Sequence, residues 1–197
     1  MSPKHALPKR SCPVAVNWLP HFIQEYFVDI IDVVGDRHYG FRVVSRLLGK
    51  SPNGHNIICL EFTIELNKNR AQHLDIFGSQ QRNDVIKNAL KPAGTDVAHE
   101  DKCMMMHDIG FLLAQKYKHV VVLLAGNKGF SKMYFPLEGD PTSKERLVCL
   151  GWVNGNHFLV IHSYRLLRHP QKIVVDIEEN IIPETVDLSE DLCDRYA

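Results

Sequence analysis

The stretch VVGDRHYGFRVVSRLLG, residues 33–49, contains the strongest structural signal in this 197-residue chain. Residues 28–34 (VDIIDVV) are rich in β-branched side chains and are followed by Gly35, which predicts a strand. After the turn, apolar residues recur at helical spacing over 41–48, and Gly49 follows as a helix C-cap glycine would. The stretch therefore predicts a strand, a tight turn, and a helix whose N-terminus lies at that turn.

The rest of the chain divides into a helical part and a strand-rich part. Helical spacing of apolar residues predicts further helices over 18–27, 57–66, 84–89 and 105–117. Short apolar runs then predict strands over 118–125, 132–136, 147–153 and 157–163. The last two runs are joined by Asn-Gly-Asn at 154–156, and Asn-Gly is a strong hairpin signal. Helices followed by a meander of strands indicate an α+β fold.

Composition restricts the class of protein. The chain has 23 Lys+Arg and 23 Asp+Glu, and its 45% hydrophobic content is typical of a globular domain. Zero net charge argues against nucleic acid as a partner, and it favours a stable protein partner or self-association. We expect one domain over 14–182, between a flexible proline-containing leader at 1–13 and an acidic tail at 183–197.

The cysteines and histidines do not form a recognisable metal or disulfide framework. The five cysteines are scattered, with no C-x-x-C pair, and the eleven histidines show no H-x-x-x-H spacing. We therefore expect no metal, no cofactor and reduced thiols. The longest apolar run, 120–125, is too short to span a bilayer, and we expect a cytoplasmic or nuclear protein without a membrane segment.

A turn that leads into a helix N-terminus, together with a distant histidine, is the general layout of a cysteine hydrolase. The helix N-terminus lowers the pKa of a thiol, and the imidazole accepts its proton. The histidine here is His157, in GWVNGNHF at 151–158.

These two segments resemble the ovarian tumour (OTU) superfamily of cysteine proteases, best known as deubiquitinases, and in particular the OTU-like domains found with Mutator-type transposons. In that family a strand runs into Asp-Gly-Asn-Cys, followed by Gly/Leu-Phe/Tyr-Arg and a helix. Here Gly35-Asp36 and Gly40-Phe41-Arg42 match on either side. The segments MHDIGFLLA at 106–114 and YFPL at 134–137 follow in family order. The resemblance, over about 18–165, implies a papain-like fold with a central, mostly antiparallel sheet flanked by helices.

The nucleophile position of the family is occupied by Tyr39, and the preceding Gly and Asn are replaced by Arg37 and His38. A phenol has a pKa near 10, and its oxygen lies roughly 4 Å farther from Cα than a cysteine sulfur. The Gly-to-Arg change also disturbs a loop whose amides stabilise the oxyanion in the family. We expect the Tyr39 ring to pack on Trp152 or His157 and to close the cleft.

The resemblance also assigns the remaining positions. Asp36 and His157 match catalytic positions, and either Asn154 or Asn156 is placed to orient the histidine. The former substrate-binding surface would include Arg37, His38, Gly40 and Trp152. A simpler interpretation makes Asp36 the N-cap of the following helix.

The resemblance and the missing thiol together imply an inactive OTU-like domain that acts by protein–protein contact. Its partner would be ubiquitin-like or unrelated, including a second copy of itself. The alternative is a divergent deubiquitinase or other cysteine hydrolase with a relocated thiol, Cys59 or Cys149. That alternative predicts one of these sulfurs within hydrogen-bond reach of His157.

Overall fold

The computed structural model describes residues 17, 19, 29–33, 38–91, 104–125, 131–139, 147–153 and 157–162. This part of the chain forms five α-helices: α1 (Tyr39–Leu47), α2 (His55–Lys68), α3 (Arg70–Phe77), α4 (Gln80–Ala89) and α5 (Met106–Tyr117). It also forms five strands: β1 (Asp29–Ile31), β2 (Val120–Ala125), β3 (Lys132–Tyr134), β4 (Leu147–Val153) and β5 (His157–His162). The predicted leader and acidic tail lie outside the described residues, as does the predicted helix over 18–27 except for Leu19.

The five strands form one sheet in the order β1-β5-β4-β2-β3. Strands β2 and β4 are parallel, and the other three neighbouring pairs are antiparallel. The pairing of Val153 with His157 confirms the predicted hairpin on either side of 154–156. The α+β class and the mostly antiparallel sheet are therefore confirmed.

The sheet separates two apolar layers, because successive side chains of a strand point to opposite faces. Val121 and Leu123 pack on one face with buried residues of α1, α2, α4 and α5. Val122 and Leu124 pack on the other face, together with Leu19 and with residues of the neighbouring strands. None of the helices in the described part of the chain is both long enough and apolar enough to cross a membrane.

Several element boundaries differ from the predicted ones, and α3 was not predicted. Helix α4 starts four residues before the predicted position because the Ser79 side chain caps it, accepting a hydrogen bond from the Arg82 amide at 3.1 Å. Strand β2 starts two residues late because Lys118 adopts a left-handed conformation (φ 52°) as the C-cap of α5. Helix α2 extends beyond the predicted range at both ends.

Candidate functional site

Helix α1 places Tyr39 at its first residue. Its N-cap residue is His38, whose carbonyl accepts a hydrogen bond from the Arg42 amide at 2.9 Å. Phe41 and Val44 have no exposed surface and anchor the helix in the core next to the sheet. Gly49, at φ +70°, follows the helix as predicted. The N-terminus of α1, with its partial positive charge, is thus held rigidly beside the sheet.

The Tyr39 ring lies against the start of β5. Its centroid is 5.4 Å from that of His157 and 5.9 Å from that of Phe158. Trp152 lies directly opposite Phe158 in the β4–β5 ladder and is half-buried. The expected packing of Tyr39 on His157 is therefore confirmed, and the hairpin supplies a second ring, Phe158, that was not predicted.

The carboxylate that pairs with His157 is Asp32, which the sequence reasoning did not identify. His157 Nε2 donates to Asp32 Oδ1 at 2.6 Å. A carboxylate can only accept, so the proton lies on Nε2 and Nδ1 is the nitrogen able to accept one in the neutral ring. The Asp32 side chain is 68% exposed, so this pair orients the imidazole but adds little stability.

Asp32 reaches His157 through the pairing of β1 with β5. Ile31 pairs with Val160, and Asp32 follows Ile31 directly. Side chains diagonal to each other across two antiparallel strands lie close enough to interact. No local motif signals this contact, because only the strand register brings the two residues together.

Two residues expected on the binding surface are buried instead. His38 is 8% exposed, and its ring lies 4.7 Å from that of His55 between centroids. Gly40 is buried against Met104: a Cβ at Gly40 would lie 2.7 Å from the Met104 Cβ. Their burial assigns both residues to packing, because a partner cannot reach them without moving their neighbours.

The remaining predicted site residues, Asp36, Arg37, Asn154 and Asn156, lie outside the described residues. The interpretation that Asp36 caps the helix falls on one of these residues and is not tested by the described part of the chain. The helix begins at Tyr39 and its N-cap residue is His38, two positions after Asp36.

The candidate relocated thiols are both buried. Cys149 belongs to the apolar layer on the sheet face opposite α1, and burial raises the pKa of its thiol well above the ordinary value. It precedes Val153, the partner of His157, by four residues, or about 13 Å along the strand. Cys59, within α2, is 4% exposed. Cys149 thus has neither the position nor the ionisation that a nucleophile for His157 requires.

The described residues contain no group of three or more His, Cys, Asp or Glu side chains able to hold a metal ion. No protein-family model matches the chain, and no curated protein matches it either. The chemistry of the site follows from its geometry. The Tyr39 phenol lies at the N-terminus of α1 and packs against the His157 imidazole, which Asp32 orients.

Proposed function

We propose that this chain is a catalytically inactive OTU-like domain that works as a protein–protein interaction module. One observation carries the proposal. Tyr39, at the N-terminus of α1, lies 5.4 Å from His157, whose Nε2 lies 2.6 Å from Asp32. A helix N-terminus, an imidazole and a carboxylate are the groups that activate a thiol in cysteine hydrolases, and here a phenol occupies the thiol's place.

Inactivity follows from the chemistry of that phenol. With a pKa near 10, an ordinary tyrosine is only about 0.1% ionised at pH 7, whereas a thiol at a helix N-terminus beside a histidine is largely ionised. The ring also fills the space in front of the imidazole, because it packs on both His157 and Phe158. Loss of the nucleophile and partial closure of the cleft support a domain that binds rather than cleaves.

The surface around this site has the composition of a binding patch. Tyr39 and Trp152 are half-buried aromatic residues, and Asp32, which pairs with His157, is an exposed charge. Aromatic side chains at the centre and polar groups at the rim are typical of protein interfaces. A ubiquitin-like protein is the first candidate partner, because the proposed fold belongs to enzymes that act on ubiquitin.

The test of the relic site is the Tyr39→Cys variant, treated with a ubiquitin-vinyl electrophile. We expect no adduct with the native chain, whose described thiols, Cys59 and Cys149, are buried. We expect an adduct on the new thiol, formed at least about tenfold more slowly when His157→Ala is added, because the imidazole then no longer accepts the thiol proton. Mass spectrometry of the peptide identifies the labelled residue.

A matched control is Val85→Cys, which places a thiol at a 53% exposed position on α4. Labelling of Tyr39→Cys at the rate of this control would mean that the site does not activate a thiol. The triple change Arg37→Gly, His38→Asn and Tyr39→Cys then asks whether the loop alone has diverged, and its failure would mean that the scaffold has diverged as well. An adduct on the native chain would instead support the relocated-thiol alternative.

Partner binding is tested separately by titrating ¹⁵N-labelled ubiquitin with the chain. We expect shifts that Trp152→Ala weakens about tenfold, as removal of a central aromatic side chain does at many interfaces, and that Val85→Ala leaves unchanged. A spectrum unaffected by the native chain would exclude ubiquitin and leave an unrelated protein as the partner.

A further inference from the structure

Helix α2 carries a row of exposed apolar side chains. Ile57, Leu60 and Ile64 are 54%, 58% and 51% exposed, and their spacing of three and four residues places them on one helix face. We call these three residues the outer stripe. The opposite face, with Ile58 and Phe62, is fully buried in the core. Helix α2 is therefore apolar on both sides, although the described residues cover only one of them.

An aligned row of this kind differs from the scattered exposed apolar residues found on every protein. Single exposed apolar residues need no explanation, whereas contiguous ones mark interaction surfaces. Of the exposed positions flanking the stripe, Asn56 and Asn67 are uncharged, and Lys68 carries a charge at its C-terminal end. An apolar centre with a mainly uncharged polar rim fits a partner surface that is itself apolar and largely uncharged.

We propose that the outer stripe is a self-association surface on which the same stripe of a second copy packs antiparallel, about a two-fold axis near Leu60. Two-fold symmetry requires a surface that complements itself. With the axis just C-terminal to Leu60, the two copies of Leu60 lie next to each other across it, and Ile57 faces Ile64 of the second copy. Every apolar residue of the stripe thus has an apolar counterpart, and the two helix dipoles run in opposite directions.

Charge also favours a second copy as the occupant. The carboxylate nearest the stripe in sequence is Glu61, and it is neutralised within its own chain. Its Oε2 accepts hydrogen bonds from Lys50 Nζ and from the Tyr117 hydroxyl, each at 2.5 Å. Because the chain as a whole has a formal net charge of zero, two copies approach each other without net repulsion.

The size of the stripe sets the expected strength. Three half-exposed aliphatic side chains fall well short of the roughly 800 Å² per partner that a standard stable interface buries. The dimer should therefore be weak, with a dissociation constant on the order of 10 µM or higher.

Sedimentation equilibrium from about 5 to about 500 µM, which brackets that constant, tests the proposal. We expect a monomer–dimer equilibrium, with the dissociation constant raised at least about tenfold by Leu60→Asp, because the symmetry brings two carboxylates together at the axis. The matched control, Val85→Asp, changes an equally exposed apolar residue on α4 and should leave the constant within about twofold. Thermal melts verify that both variants fold.

Cross-linking tests the antiparallel register. Under mild oxidation Leu60→Cys should form a disulfide-linked dimer, and a mixture of Ile57→Cys and Ile64→Cys chains should form the mixed dimer, each identified by mass spectrometry of the linked peptides. Ile57→Cys alone should not link to itself. Self-linking of Ile57→Cys, a monomer over the whole concentration range, or equal effects of Leu60→Asp and Val85→Asp would each overturn the proposal. Binding of a different protein to the stripe of a monomeric chain would do so as well.

Discussion

At residue 73 a histidine side chain with no exposed surface lies inside the helical layer. Its Nε2 is 3.6 Å from the Glu65 Oε1, and the ring stacks on Phe77 at 5.6 Å between centroids. Asn69 donates to the same Glu65 oxygen at 2.5 Å. Burial lowers the pKa of His73, and the opposing attraction of the Glu65 carboxylate does not cancel this effect. The folded protein therefore holds this imidazole in its neutral form.

The buried imidazole makes stability depend on pH in a defined direction. The unfolded chain, with an ordinary histidine pKa near 6.5, binds a proton more readily than the folded chain. The free energy of unfolding should therefore fall as the pH drops below about 6.5, by at most about 1.4 kcal/mol per pH unit for this group. Urea denaturation between about pH 7.5 and 5.5 measures the slope.

The variant His73→Gln, which cannot titrate, should flatten that slope. An unchanged slope in His73→Gln would assign the pH dependence to another group.

At the scale of elements, α5 approaches β3 closely at one glycine. A Cβ built on Gly110 would lie 2.7 Å from three atoms of the Tyr134 ring. That ring is 2% exposed, and Phe111 meets it edge-on with centroids 5.1 Å apart, so it has no room to move away. Glycine at this position permits the helix to lie directly on the aromatic face.

Gly110→Ala should destabilise the protein by about 1–3 kcal/mol, because the added methyl overpacks a rigid ring. With Tyr134→Ala already present, the same substitution should become stabilising by about 0.5–1 kcal/mol, because alanine favours a helix and the clash is gone. Chemical denaturation of the four proteins of this cycle measures both signs. A destabilising effect of equal size in both backgrounds would exclude the ring contact as its cause.

At the scale of the whole molecule, the sheet joins two apolar layers. Leu123 of β2 lies in the layer that contains the helices, and Leu159 of β5 lies in the opposite layer; they are 1% and 0% exposed. Both layers depend on the same strands. Loss of packing on either face should therefore weaken one common folded state.

Leu123→Ala and Leu159→Ala should each destabilise the protein by about 2–5 kcal/mol, the cost of a large core side chain and the cavity it leaves. Their effects should add within about 0.5 kcal/mol, since the two side chains share no packing partners across the sheet. Fluorescence and circular dichroism should report a single coincident unfolding transition. Two separated transitions would mean that the layers unfold independently.

Sequence alone was sufficient where the signal is local. Helix α1 with its terminal glycine, strand β4 and the hairpin around Asn-Gly were predicted because each depends on the periodicity or turn preference of neighbouring residues. Helix α3 was missed because it presents few buried residues: of its eight, only His73 is buried. A helix with so few buried residues shows no apolar periodicity in its sequence, and its buried residue is a polar histidine.

In the candidate site, too, some features were predicted from the local sequence and others depend on long-range contacts. Tyr39 and His157 were identified from the residues around them, and the ring contact between them was expected. Asp32 is 125 residues from His157 along the chain, and only the pairing of β1 with β5 brings the two within 2.6 Å. The burial of His38 and Gly40 was likewise decided by His55 and Met104, which belong to other segments. The sequence by itself determined helix α1, strand β4 and the hairpin, because the signals for them are local. Only the tertiary structure decided which carboxylate meets the histidine, because strand pairing is a long-range interaction.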